Sequence, residues 1–95
     1  MHIITRKRLR EFGARHRAAV TPLNVWYAIM SGTDFGSFAQ IKRAFPSADK
    51  VGKFTVFDIS GNKYRWIAAI HYNRKKVYIR HVLTHSEYDL DKWKD

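Results

Sequence analysis

The chain has 95 residues, no cysteine and 45% hydrophobic residues, with eighteen Lys and Arg against eight Asp and Glu for a formal net charge of +10. That length fits one small domain spanning 1–95 with a single core, and the lack of cysteine excludes disulfides and Cys-ligated zinc. A mean hydropathy of −0.45, with no apolar run of about 18 residues, argues against a spanning helix.

No secretory signal is visible at the start, Met-His-Ile-Ile-Thr-Arg, so the expectation is a soluble cytoplasmic protein. A pI near 10.2 attracts polyanions, and counterion release then drives binding. Nucleic acid or the ribosome is the expected partner. A membrane surface fits poorly, because the basic helix has little apolar face to insert.

In chain order, Ile3 and Ile4 form at most a short strand. Thr5 is a candidate N-cap for a helix running to Arg15 or His16. Leu9 and Phe12 are its sparse apolar side; Arg6, Lys7, Arg8, Arg10, Arg15 and Arg17 make the rest basic. That side is either a solvated face or a phosphate-contacting one. Thr21-Pro22 signals a second helix start. Val25, Trp26, Ile29 and Met30 recur at helical spacing and are expected in the core, with Ser31-Gly32 ending the helix. Ser37 caps a third, short helix, Phe38–Ala44, with Phe38, Ile41 and Phe45 inward. Pro46 stops it.

Lys53–Ile59 reads as a strand, with Phe54, Val56 and Asp58 on one face. Ser60-Gly61-Asn62 is a tight turn suited to positive φ. Two long strands follow, Tyr64–Tyr72 and Val77–Leu83, joined by Asn73, Arg74, Lys75 and Lys76. Alternation puts Arg65, Ile67, Ala69 and His71 on one face of the first, opposite Tyr64, Trp66, Ala68 and Ile70. On the second it puts Val77, Ile79, His81 and Leu83 opposite Tyr78, Arg80 and Val82. From Ile59 through Ser86 there is no acidic residue. The tail DLDKWKD is read as a helical turn anchored by Trp93. The order β-α-α-α-β-β-β implies an α+β fold: a small antiparallel sheet with N-terminal helices packed on one face and the other face open to a ligand.

FPSA (Phe45–Ala48), the strand FTVFDI, GNKYR (Gly61–Arg65), VYIR (Val77–Arg80) and THSEYD (Thr84–Asp89) together resemble the HigB family of toxins, within the RelE-like superfamily of toxin–antitoxin systems. The resemblance covers nearly the whole chain and is strongest from Phe45 to Asp89. It implies a RelE-like fold and an mRNA interferase that cuts mRNA on the ribosome without a metal or other cofactor. It also implies a HigA-like helix-turn-helix antitoxin as partner, with operator DNA contacted only through that antitoxin. One departure stands out: His81 occupies a position where the family pattern leads one to expect an apolar or aromatic residue.

RNA cleaves when its 2′-OH attacks the adjacent phosphorus. A protein must supply a base, a cation for the phosphorane charge and an acid for the leaving oxygen. His85, just past a strand end, is the leading proton-transfer candidate, since imidazole titrates near neutrality. Tyr88, three residues on, would stand beside it on a helical turn and stack on a base or hydrogen-bond the phosphate. Arg65 has apolar neighbours that would hold its guanidinium for phosphate contact. Lys63, Arg74, Lys75, Lys76 and Arg80 are candidate RNA or ribosome contacts. Each has an ordinary alternative: a surface histidine, a packed aromatic, an ion pair of Arg65 or Arg80 with Asp58 or Glu87, and a solvated turn. Asn62 is read as shaping its turn. No metal site is expected, because His71, His81 and His85 follow no ligand spacing. Two rivals to the nuclease are a non-catalytic basic RNA- or ribosome-binding module and a basic subunit meaningful only with an acidic partner.

Overall fold

The computed structural model describes residues 1–61 and 63–94; Asn62, expected to shape its turn, lies outside them. The elements run β1 (His2–Ile4), α1 (Arg6–Arg15), α2 (Val20–Gly32), α3 (Phe38–Ala44), β2 (Asp49–Val51), β3 (Phe54–Ile59), β4 (Tyr64–His71), β5 (Lys76–Thr84) and α4 (His85–Asp89). Short 3-10 turns at Arg17–Ala19 and Lys92–Lys94 precede α2 and follow α4. The fold is α+β, consistent with a RelE-like architecture. Among the described residues no helix is long and apolar enough to cross a membrane.

The five strands lie in the order β1-β5-β4-β3-β2. The sheet is mixed rather than wholly antiparallel, because β1 pairs parallel with β5, Ile3 opposite Val77. All other pairs are antiparallel. The expected strand Lys53–Ile59 is in fact the second half of a hairpin. Gly52, at φ +59, and Lys53 form the turn, and β2 folds back on Phe54–Val56. The sequence hid β2 because it is three residues long and begins with the exposed polar pair Asp49-Lys50. Ser60 and Gly61 both have positive φ, as the next turn requires.

Three helices pack on one face. Leu9 and Phe12 of α1, Trp26 and Met30 of α2 and Ile41 of α3 are all essentially buried there, against Phe57, Trp66 and Val77. Phe12 meets Trp66 edge-on at 5.4 Å, and Trp26 meets Phe57 at 5.3 Å. Ser37 caps α3 through a bond from the Gln40 amide. The expected inward set for α2 is half wrong: Val25 is 55% exposed and Ile29 36%, while Leu23 is buried with Trp26 and Met30. Two stripes, one residue apart, satisfy the same helical period, and the bulkier side chains take the interior.

The face alternation of β5 also needs correction. His81 lies opposite Ile67, but Ile79 lies opposite Ala68, so Arg80 is an extra residue in a β-bulge. The bulge reverses the pleat. Val77 and Ile79 join the helix-side core and Val82 packs against it, whereas Leu83 packs on the opposite face. That opposite face is not bare. Trp93, 3% exposed, folds back over Val56 and Ile67, with Phe54, Leu83 and Tyr88 around it.

Candidate functional site

The site forms where β3, β4 and β5 end together. Register puts Asp58 beside Arg65 and Tyr64 beside Thr84. Arg65 is drawn below the surface, its side chain 8% exposed, and its Nε donates to Asp58 Oδ1 at 2.8 Å. The ordinary alternative for Arg65 is therefore present: it does hold an ion pair with Asp58. Burying a guanidinium is costly unless it is paired and hydrogen-bonded. Its Nη1 donates to Tyr64 O at 3.2 Å and its Nη2 lies 3.4 Å from His85 Nδ1. The guanidinium also sits over the Tyr88 ring, 5.1 Å from its centre. One fixed cation thus touches both other candidate residues.

His85 opens α4, and local sequence fixes it there. Thr84 is the N-cap: its hydroxyl accepts from the Glu87 amide, and Glu87 accepts back from the Thr84 amide at 2.9 Å, a capping box. The Thr84 amide bond, acting with the Thr84 hydroxyl, Arg15 and His16 against a smaller effect of burial, holds the Glu87 carboxyl below its ordinary value. Glu87 is therefore occupied as a cap. The His85 amide donates to Lys63 O at 2.9 Å, tying α4 to the β3–β4 turn.

One turn into α4, Asp89 Oδ2 lies 3.2 Å from His85 Nε2. A neutral ring that donates through Nε2 to Asp89 presents its Nδ1 lone pair toward Arg65. The imidazole is half-exposed, so RNA or solvent reaches it. Tyr88 stacks on Trp93 with ring centres 5.1 Å apart, and Trp93 Nε1 donates to Tyr88 O at 3.1 Å. The arrangement supplies a proton acceptor, a buried cation within reach of it and an aromatic hydroxyl, the parts that general acid–base and electrostatic catalysis require. Among the described residues no group of three or more His, Cys, Asp or Glu is placed to hold a metal ion.

The structure brings Arg65, His85 and Tyr88 together and sets Lys63 beside them. It does not bring in the cations at the hairpin tip. Arg74 and Lys75 lie in the turn after His71, and Lys76 begins β5 opposite His71. They stand at the far end of an eight-residue strand, roughly 25 Å away at strand rise. Arg80 is the bulge residue. Its guanidinium lies over Tyr78, and its carbonyl accepts from Arg8 Nη1 at 2.8 Å. Asp89 and Trp93 join the site in addition to the residues expected from the sequence. The spacing of His85 and Asp89 at i and i+4 was the available signal for the first; nothing local signalled the second. A separate cleft between α1 and α2, lined by Leu9, Gly13, Val20 and Leu23 with Arg10 and Arg17, assembles no acid–base pair.

With this geometry in view, comparison with known proteins gives a consistent result. The family model for HigB toxin, the RelE-like toxic component of a toxin–antitoxin system, matches residues 19–91. The chain is 32% identical over 92 residues to the mRNA interferase HigB of Escherichia coli O6:H1, covering 94% of this chain and 89% of that one. It is 34% identical over 93 residues to the mRNA interferase toxin HigB of Escherichia coli K12, and equally to the mRNA interferase HigB of Shigella flexneri, covering 95% of this chain and 89% of each relative.

Proposed function

The chain belongs to the HigB family of RelE-like toxins, and from that premise we propose how its residues act as an endoribonuclease on mRNA. Its partner is an antitoxin, as the family's description states. The finer reading is that a HigA-like helix-turn-helix protein neutralises it and alone contacts operator DNA. It works in the cytoplasm on ribosome-bound mRNA, for which the +10 charge is suited.

Cleavage uses the RNA's own 2′-OH. His85 Nδ1 takes the 2′ proton as the 2′ oxygen bonds to phosphorus, and the imidazolium returns a proton to the 5′ oxygen as the P–O5′ bond breaks. Asp89 holds the ring in the tautomer that donates through Nε2 and steadies the imidazolium, the logic of a carboxylate–histidine pair. Arg65 faces the phosphorane charge as it develops. Because it is already paired and buried, little reorganisation is needed at that moment. Tyr88 stacks on a splayed base or donates to the phosphate, and Lys63 meets the backbone beside it. The observation that carries this reading is the single contact set joining Arg65 to His85 at 3.4 Å and to Tyr88 at 5.1 Å.

The test is expression of the chain alone and with its neighbouring helix-turn-helix protein. Growth should arrest and new mRNA 5′ ends should appear; both should vanish on co-expression. Soluble protein with normal growth and intact mRNA would favour the binding-module reading.

A further inference from the structure

The bulge at Arg80 creates a second feature on the same sheet face. A groove of about 670 Å³ opens there, rimmed by the cations Arg8, Lys53 and Arg80 and by His71 and His81, with Phe54 in its floor and, among the described residues, no acidic side chain in its lining. Arg8 belongs to α1, on the other side of β5. It reaches the groove because β1 pairs β5 only as far as Tyr78, and beyond that point Arg8 caps the bulge carbonyl of Arg80. The bulge thus does two things at once: it turns His81 out of the helix-side core, and it fixes Arg8 beside it.

Trp93 lines this groove and stacks on Tyr88, which touches Arg65. The groove is therefore continuous with the candidate cleavage centre. It is not the same place. His81 lies within β5, three residues or roughly 10 Å of strand rise before its end at Thr84, whereas His85 opens α4 beyond that end.

We propose that Arg8, Arg80 and His81 form a subsite for the single-stranded RNA nucleotide flanking the cleaved phosphate, the two arginines holding its backbone phosphate and His81 its sugar or base edge. The subsite rests on the endoribonuclease reading and extends it to substrate positioning. Charge complementarity selects a polyanion, and an apolar floor suits an unpaired base. Burial, with the Arg8 and Arg80 guanidiniums, lowers the His81 pKa below its ordinary value. A neutral ring offers one donor and one acceptor, which suits a hydroxyl or a base edge better than a second cation would. The same logic accounts for a histidine where the family pattern suggests an apolar or aromatic residue.

The test measures binding on short RNA carrying a 2′-deoxy at the cleaved position, so that positioning is read separately from cleavage. Arg80→Gln and His81→Phe should each weaken binding about ten- to a hundredfold, the worth of a charge-assisted or buried hydrogen bond. On RNA shortened to remove the flanking nucleotide, both variants should bind like the parent. Arg8→Gln should behave alike; because Arg8 also supports the bulge, its melting temperature is measured beside its affinity. On cleavable RNA the variants should raise KM far more than they lower kcat. Equal affinities for parent, Arg80→Gln and His81→Phe on the full-length RNA would overturn the subsite. So would a loss confined to antitoxin affinity, which would assign the groove to a protein. If the parent cleaves nothing yet the variants still lose RNA affinity, the endoribonuclease reading fails and with it the subsite's place beside a cleaved phosphate, leaving the groove as an RNA contact alone.

Discussion

Asp58→Asn is the sharpest probe of how the site is built. It leaves the Arg65 guanidinium buried while replacing its carboxylate with an amide. Removing one partner of a fully buried ion pair costs about 3–5 kcal/mol. Asp58, however, keeps 25% of its side-chain exposure, and Arg65 retains its contacts to Tyr64 O and His85. The expected loss is therefore nearer the worth of a charge-assisted hydrogen bond, about 2–3 kcal/mol. In a domain of this size that lowers the melting temperature by roughly 10–20 °C, read by circular dichroism. Cleavage should fall as well, because the carboxylate sets where Arg65 points. The double variant Asp58→Leu with Arg65→Met separates the two roles. Replacing both partners by apolar groups is close to neutral for stability, so melting should recover while cleavage stays lost. An Asp58→Asn protein that melts with the parent, or a double variant that cleaves like it, would refute this reasoning.

His85→Gln should lose cleavage by about 10²–10⁴-fold while the protein stays folded and still binds ribosomes; full activity would move proton transfer elsewhere. Thr84→Ala removes the α4 cap and should cost about 1 kcal/mol, with KM and kcat both affected because His85 starts that helix. The Glu87 cap has an acid limit. Its folded carboxyl is held below the ordinary value, so its contribution is complete above that ordinary value and lost as pH falls through the lowered one; α4 should fray there, and Glu87→Gln should flatten the pH dependence. Reversing Arg74, Lys75 and Lys76 to Glu should weaken ribosome binding and reduce its salt slope by about 2–3, without loss of kcat, since the hairpin tip lies far from His85.

The sequence made much of this visible because its signals are local. Strand alternation grouped Asp58 with Phe54 and Val56 and Arg65 with Ile67 and Ala69, each within its own strand, and a helical turn puts Tyr88 near His85. The Ser37 cap and the Ser60-Gly61 turn were likewise readable residue by residue. What escaped was set by tertiary choices. β2 is too short and too polar to show periodicity, and its existence depends on pairing with β3. The α2 stripe was ambiguous until packing took Leu23 inward and left Val25 out. The bulge at Arg80 leaves no mark in a run of β-type residues, yet it reverses the faces beyond it and brings Arg8 across from α1. Trp93 anchors the tail, but its stacking partner Tyr88 is set by how the tail folds back over the sheet.

The central claim is that the RNA supplies its own nucleophile and that His85, oriented by Asp89 and Arg65, moves the proton. The direct measurement is cleavage of ribosome-bound mRNA carrying a single 2′-deoxy nucleotide at the scissile position, with EDTA at a concentration that leaves ribosomes intact. The unmodified message should be cut at that position in EDTA, and the 2′-deoxy message should remain whole there. Normal cutting of the 2′-deoxy message, or cutting that stops when metal is chelated, would contradict the account.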